Sequence, residues 1–235
     1  MLYGIKVQLK IDIRSKTLLV TCYVVPLLFF AIMGGIFTSV MPEMRNTLIQ
    51  SMIVMSVSMG AFIGFPPSLI ETYGSDVKKV YKANGVPLYL GLVTMFLSAF
   101  VHLMISCVII LLLAPVLFGA TLPAQFPFFF LALAIYIIVS LSIGSILGFV
   151  LKNQAKLTMT AQLVFLPSIM LSGIMFPISL LPDFLEAIGR IFPASWGYRL
   201  MLDHGFCLEN LWYPIAAFFA AIMVCGIILK KQKAE

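Results

Sequence analysis

Six apolar runs dominate the chain, at about 18–40, 47–70, 88–117, 127–151, 157–176 and 211–229. Each is near or above the roughly 20 residues that a helix needs to cross hydrocarbon. Inside lipid no water satisfies backbone amides, so each run has to close its hydrogen bonds within a helix. Only 10% of the residues are charged and the mean hydropathy is +1.10, against about 25% charged in a soluble domain. The expected fold class is an all-α integral membrane protein, with six transmembrane helices in one domain over 1–235. The first run follows a basic segment, is too long for a signal-peptide core and lacks a small-residue cleavage site, so it reads as a retained span.

The net charge of +6 speaks to topology rather than to nucleic acid. Six spans place 1–17, 71–87, 152–156 and 230–235 on one side, and those segments hold 12 of the 15 basic residues. Basic loops stay in the cytoplasm, so both termini and the 71–87 segment are expected there, in a multi-pass cell membrane protein, with a bacterial plasma membrane as the expected setting. Five or seven spans would spoil the division. The four cysteines form no CxxC pair and have no histidine at ligand spacing.

Three polar stretches interrupt the apolar pattern. In residues 1–17, Ile5, Leu9 and Ile13 fall four apart, with Lys6, Lys10 and Arg14 one place behind. On a helix this gives an apolar stripe beside a cationic one, suited to lying in the plane of the anionic leaflet; the alternative is a basic tail without fixed structure. Between the second and third runs, ETYGSDVKKVYKANGVP (71–87) predicts a short amphipathic helix over about 76–83. Ser75 can cap it, Asp76 suits its positive end, and Asn84, Gly85 and Pro87 terminate it. A plain solvated connection is the other option. In the long 177–210 loop, PDFLEAIGRIF puts Phe184, Leu185, Ile188, Ile191 and Phe192 on one face and pairs Glu186 with Arg190. Ten residues cannot span, so the segment re-enters or lies flat, with Trp196 and Tyr198 at headgroup level.

Residue types that carry chemistry are scarce. There is no GxxxxGK[ST], and no Gly-Lys pair anywhere, so the chain does not itself cradle ATP phosphates. HExxH, GxSxG and Cys/His clusters are also missing from the sequence, so neither catalytic residues nor a metal site are expected. No Asp, Glu, Lys or Arg lies well inside a run, which disfavours an ion-driven carrier. His102 is the one deep ionisable side chain apart from Cys and Tyr. It reads either as a contact on a substrate pathway or as a neutral histidine bonded to a neighbouring helix. Gly60/Gly64 and Gly144/Gly148 offer small-residue faces for close helix contact. Phe128, Phe129 and Phe130 read as interfacial anchors rather than a binding box.

Two stretches resemble the permease subunit of type-2 ABC exporters, and the likeness in layout extends over the whole chain. The coupling segment of that family often runs E-x-E-x-G-T-L, then T-P-[VL]-x, with a Gly-Lys soon after. Here Glu71, Gly74 and Ser75 fall on the acid, glycine and threonine positions, and Val86-Pro87 near the end. Tyr73 replaces the second acid and Gly91-Leu92 the Gly-Lys. The stretch LSGIMFPISLLPDFLEAIGRIFPASWGYRLM (171–201) is similar to the family's broken fifth span and outer re-entrant helix, through Ser172, Gly173, Phe176, Pro177, Leu181, Pro182, Phe192 and Pro193.

The resemblance implies an N-terminal in-plane helix, six spans, a cytoplasmic coupling helix at about 76–83 and an outer re-entrant segment at about 177–199. It implies a homodimer of permeases in membrane lipid, served by two separate nucleotide-binding ATPase subunits that bind ATP and Mg, with no cofactor in this chain. Coupling would fall to Glu71, Val77, Val80, Tyr81 and Lys82, and the outer gate to Phe176, Pro177, Leu185, Ile188 and Phe192. Charge-free spans rich in Phe and Met suit an amphipathic substrate, with drugs, antibiotics, peptides and lipid-linked molecules as candidates. A different class also stands at this point: an intramembrane lipid-modifying enzyme built on His102 with Ser98 or Ser106, or a passive channel or scaffold.

Overall fold

The computed structural model describes residues 2–14, 19–74, 83, 85, 87–151, 153–176, 181–202 and 208–234. Among these every regular element is helical, and there is no strand. An N-terminal helix α1 (Leu2–Arg14) precedes α2 (Val25–Val40), α3 (Leu48–Met59) and α4 (Phe65–Gly74). Then come α5 (Leu88–Phe118), α6 (Phe126–Val150), α7 (Gln154–Met170), α8 (Asp183–Gly189), α9 (Pro193–Leu202) and α10 (Leu208–Ala234). Among the described residues, five continuous helical stretches are long and apolar enough to cross a membrane: Val20–Val40, Leu48–Tyr73, Tyr89–Phe118, Phe126–Val150 and Leu211–Lys230. The run at 157–176 differs, because α7 has 17 residues and the chain then turns over 171–176. That is about 26 Å of helix at 1.5 Å per residue, short of a hydrocarbon core of about 30 Å. Pro167 removes a donor near its end, and Gly173 takes φ 85, a conformation that suits glycine, so this run is a shortened helix with a broken end.

Proline also explains the two π-helical turns. Val20–Val24 precedes Pro26, and Gly60–Gly64 joins α3 to α4 just before Pro66 and Pro67. A proline ring crowds the carbonyl four residues back and offers it no N–H, here at Cys22, Phe62 and Ile63, all within the two turns. The backbone widens by one residue there instead of breaking. The two π turns pack against each other, where a Cβ on Gly64 would press on Thr21 and one on Gly60 on Leu103.

The span built from α3 and α4 is the most enclosed element, with every residue of α3 buried except Met59. It is covered by α5 and α2, by α6, and at the far end by α9. Close approach to α6 depends on two glycines. A Cβ at Gly144 would collide with the carbonyl of Ala61, and one at Gly148 with Leu69 and the carbonyl of Pro66. Tyr73 closes the seam edge-on against Phe149, with ring centroids 4.9 Å apart. At one end of the bundle α1 packs beside the start of α5. At the opposite end the loops before α3 and before α6 meet, where the Thr121 amide donates to the Arg45 carbonyl at 3.2 Å.

Candidate functional site

At the α1 end a seam of buried polar side chains joins α1, the first π turn and α5. Asp12 is only 5% exposed, on a helix whose apolar stripe was read as Ile5, Leu9 and Ile13. The inward face instead runs through Gly4, Gln8 and Asp12, flanked by Ile5 and Leu9, and Ile13 is 56% exposed. The reason is hydrogen bonding. Ser98 Oγ on α5 donates to Asp12 Oδ2 at 2.5 Å, and Gln8 Nε2 donates to Asp12 Oδ1 at 2.9 Å. A carboxylate placed against a span must be satisfied, and two donors hold it there. Asp12 escaped sequence reasoning because it lies outside every apolar run. The i, i+4 series Gly4, Gln8, Asp12 was the signal that could have found it.

One helical turn further along α5, His102 is buried and meets Tyr23 from the first π turn. The tyrosine hydroxyl and His102 Nδ1 are 2.8 Å apart, either able to donate according to the imidazole tautomer, and the rings stand edge to face. His102 Nε2 is buried without a partner among the described residues. Of the two sequence readings, bonding to a neighbouring helix is the one this geometry displays. The serines beside it are engaged elsewhere: Ser98 with Asp12, and Ser106 with Ser56 at 3.2 Å. A nucleophilic serine needs its hydroxyl on a base, and here neither is hydrogen-bonded to the imidazole. No group of three or more His, Cys, Asp or Glu side chains suited to a metal occurs among the described residues.

The second region is the arch after α7. Its α8 returns onto the broken end of α7, and Gly189 lies so close that a Cβ there would strike the carbonyl of Leu171. The arch is tied by side chains onto its own backbone. Ser195 Oγ donates to the Gly189 carbonyl at 2.6 Å, Trp196 Nε1 to that of Arg190 at 2.5 Å, and the Tyr213 hydroxyl to that of Ile191. Trp196 stacks on Tyr213, with centroids 5.0 Å apart. Glu186 accepts from Arg190 at 2.9 Å, four residues on, and from Arg199 of α9 at 3.2 Å. Hydrogen bonding from Arg190, with the charges of both arginines, holds its carboxyl below the usual range.

Of the expected gate residues, Phe176 and Ile188 are exposed and Leu185 and Phe192 are half-buried, so the described residues leave the apolar face of α8 partly open. Pro177 lies outside the described residues. Of the expected coupling residues, Glu71 is exposed on the last turns of α4, while Val77, Val80, Tyr81 and Lys82 fall outside the described residues. Glu71 and the α8 face occupy separate parts of the chain, and the structure does not bring them together as one site.

A family model described as ABC-2 type transporter matches residues 4–206. No curated protein matches the chain.

Proposed function

This chain belongs to the ABC-2 type transporter family, and we propose that it is the permease subunit of an ATP-driven exporter that moves an amphipathic substrate out of the cytoplasm or the inner leaflet. One observation carries this most of all. The family match runs from α1 through the last turn of α9, so the 71–87 segment and the 171–202 arch both lie inside it. The chain has no phosphate-binding loop of its own, so ATP and Mg would reside on a separate nucleotide-binding subunit. A second copy of the permease would complete the pathway. The open apolar face of α8 supports that arrangement, because an exposed apolar surface at the end of a bundle suits a partner or lipid.

In this reading both termini are cytoplasmic, Glu71, Val77, Val80, Tyr81 and Lys82 receive the motion of the ATPase, and Phe176, Pro177, Leu185, Ile188 and Phe192 close the outer end. The basic residues clustered at 1–17, 71–87, 152–156 and 230–235 support the orientation. Freed backbone at the 171–176 break has to be satisfied by protein or water, which favours a place at the rim of a pathway over lipid tails.

Co-purification with an ATPase subunit encoded beside this chain, together with substrate-stimulated ATP hydrolysis in proteoliposomes, tests the proposal. Tyr81→Asp is expected to leave the permease inserted while abolishing both, since an unpaired charge at a packed contact costs several kcal/mol. Wild-type association and stimulation in Tyr81→Asp would remove the 76–83 segment from the interface.

A further inference from the structure

The loop end of the bundle opposite α1 holds a cavity of about 310 Å³ between the start of α3, the segment before α6 and the last turn of α9. We infer that this cavity is a binding site for an uncharged, polyhydroxylated ring, the chemistry of a neutral sugar headgroup. Its polar wall is made by Asn46, Thr47, Gln50, Thr121 and Gln125, and none of its described lining residues is charged. Its apolar wall includes Phe128, Phe129 and Leu200.

Gln50 is the pointed observation. It is 7% exposed, lines the cavity, and its Oε1 has no hydrogen-bond partner among the described residues. A buried amide oxygen left unsatisfied is costly, and a donor arriving from the cavity removes that cost. The rim is built as well. Thr121 donates its amide to the Arg45 carbonyl at 3.2 Å and its hydroxyl to that of Asn46 at 3.3 Å, so the two loops are fixed to each other.

The lining selects the ligand class. Among the described lining residues no counter-charge awaits a phosphate or ammonium group, which disfavours charged headgroups. Amide and hydroxyl side chains both donate and accept, and so do the hydroxyls of a polyol, which would satisfy Gln50 whichever way its amide is turned. Sugar rings also carry a face of C–H groups, and the electron-rich ring of the exposed Phe128 suits those weakly positive hydrogens. Water alone is the competing occupant, because the cavity is roomy enough for several molecules at about 30 Å³ each. The inference does not depend on the transport reading.

The same ring chemistry can come from a glycolipid or from a free sugar, and two probes separate them. The full chain is reconstituted in phosphatidylcholine nanodiscs with and without diglucosyl diacylglycerol, and native mass spectrometry counts retained glycolipid. Methyl β-glucoside is tested in parallel by saturation-transfer NMR. Binding of either probe is expected, weakened about tenfold, the loss of one or two buried hydrogen bonds, in Gln50→Leu and in Gln125→Ala. It should be unchanged in Lys156→Gln at the other end of the bundle. Retention of glycolipid alone assigns a membrane ligand, and saturation transfer alone a soluble one; both support the site. Binding of neither probe, or binding equal in wild type and both variants, overturns it and leaves a hydrated cavity. Gln125 is exposed at the rim, so its variant decides the matter if Gln50→Leu fails to fold.

Discussion

Asp12 and Ser98 are expected to be energetically coupled, and the two single substitutions should be unequal. In Ser98→Ala the carboxylate of Asp12 stays buried with only Gln8 left to donate. Hydrogen bonds to charged groups are worth about 1.5–3 kcal/mol, so a cost near 2 kcal/mol is expected. Asp12→Ala leaves two neutral donors behind, the half-buried Gln8 amide, which can turn to water, and the Ser98 hydroxyl. On a helix that hydroxyl can turn to the carbonyl of Thr94, four residues back, as buried serines do, and the cost falls to about 1 kcal/mol. Once Asp12 is gone, removing Ser98 should add little, so the double variant should match Asp12→Ala. The cycle then gives a coupling of about 2 kcal/mol.

Docking of α1 can be read by amide exchange over residues 2–14 in the purified protein. At 1.4 kcal/mol per factor of ten, Ser98→Ala should raise the opening equilibrium about 30-fold, against about fivefold for Asp12→Ala. Additive effects within about 0.5 kcal/mol, or a Ser98→Ala cost no larger than that of Asp12→Ala, would show that the 2.5 Å contact does not anchor α1.

Three further outcomes follow from the packing and the polar contacts. Gly144→Leu should destabilise the protein by at least about 2 kcal/mol in detergent thermal unfolding, because its side chain meets the Ala61 carbonyl; Gly35→Ala, which meets nothing within 4 Å, should stay within about 0.5 kcal/mol, and equal effects would refute close packing of α6 on the second π turn. Glu186 has a depressed folded pKa, so its contribution to the arch is full above the ordinary carboxylate range of about 4.3 and is lost as pH falls through the lower folded value. Trp196 fluorescence should therefore be flat from neutral pH to about 4.5 and change only below, with the step absent in Glu186→Gln; a transition near pH 6 would contradict the assignment. Leu185→Ser with Ile188→Ser should raise basal ATP turnover of the complex and blunt its response to substrate, and wild-type values for both would make the arch a surface cap.

Much of the helical layout was legible because local rules dominate in lipid. Glu186 meets Arg190 one turn on, as their spacing in the sequence predicts. What stayed hidden depends on contacts between elements. Arg199 joins Glu186 from 13 residues away, and only the fold of the arch brings them together. The burial of Asp12 needed a serine 86 residues further on. The π turns were within reach, since Pro26, Pro66 and Pro67 stand inside apolar runs. Hydropathy alone registers length and polarity and passes over the missing donors.

The polar links are of two strengths, and the difference bears on how such a bundle can move. Between spans they include the hydroxyl pairs Ser56 with Ser106 at 3.2 Å and Ser58 with Tyr136 at 2.6 Å, beside the Tyr23–His102 contact at 2.8 Å. Pairs of this kind in membrane proteins average only about 0.6 kcal/mol, because a separated helix finds other partners. Thermal energy and a modest push can exchange them, so the second span can slide against the third and against α6. The Asp12–Ser98 link is charge-assisted and several times stronger. It fastens α1 to the stretch of α5 that begins just past the 71–87 segment. A displacement entering through that segment would therefore carry α1 and the start of α5 as one body. The yielding would fall where the backbone is already widened, at the paired π turns beside His102 and Leu103. That division into a fastened corner and a yielding middle requires no charge inside the spans, so a displacement could pass along even so apolar a chain.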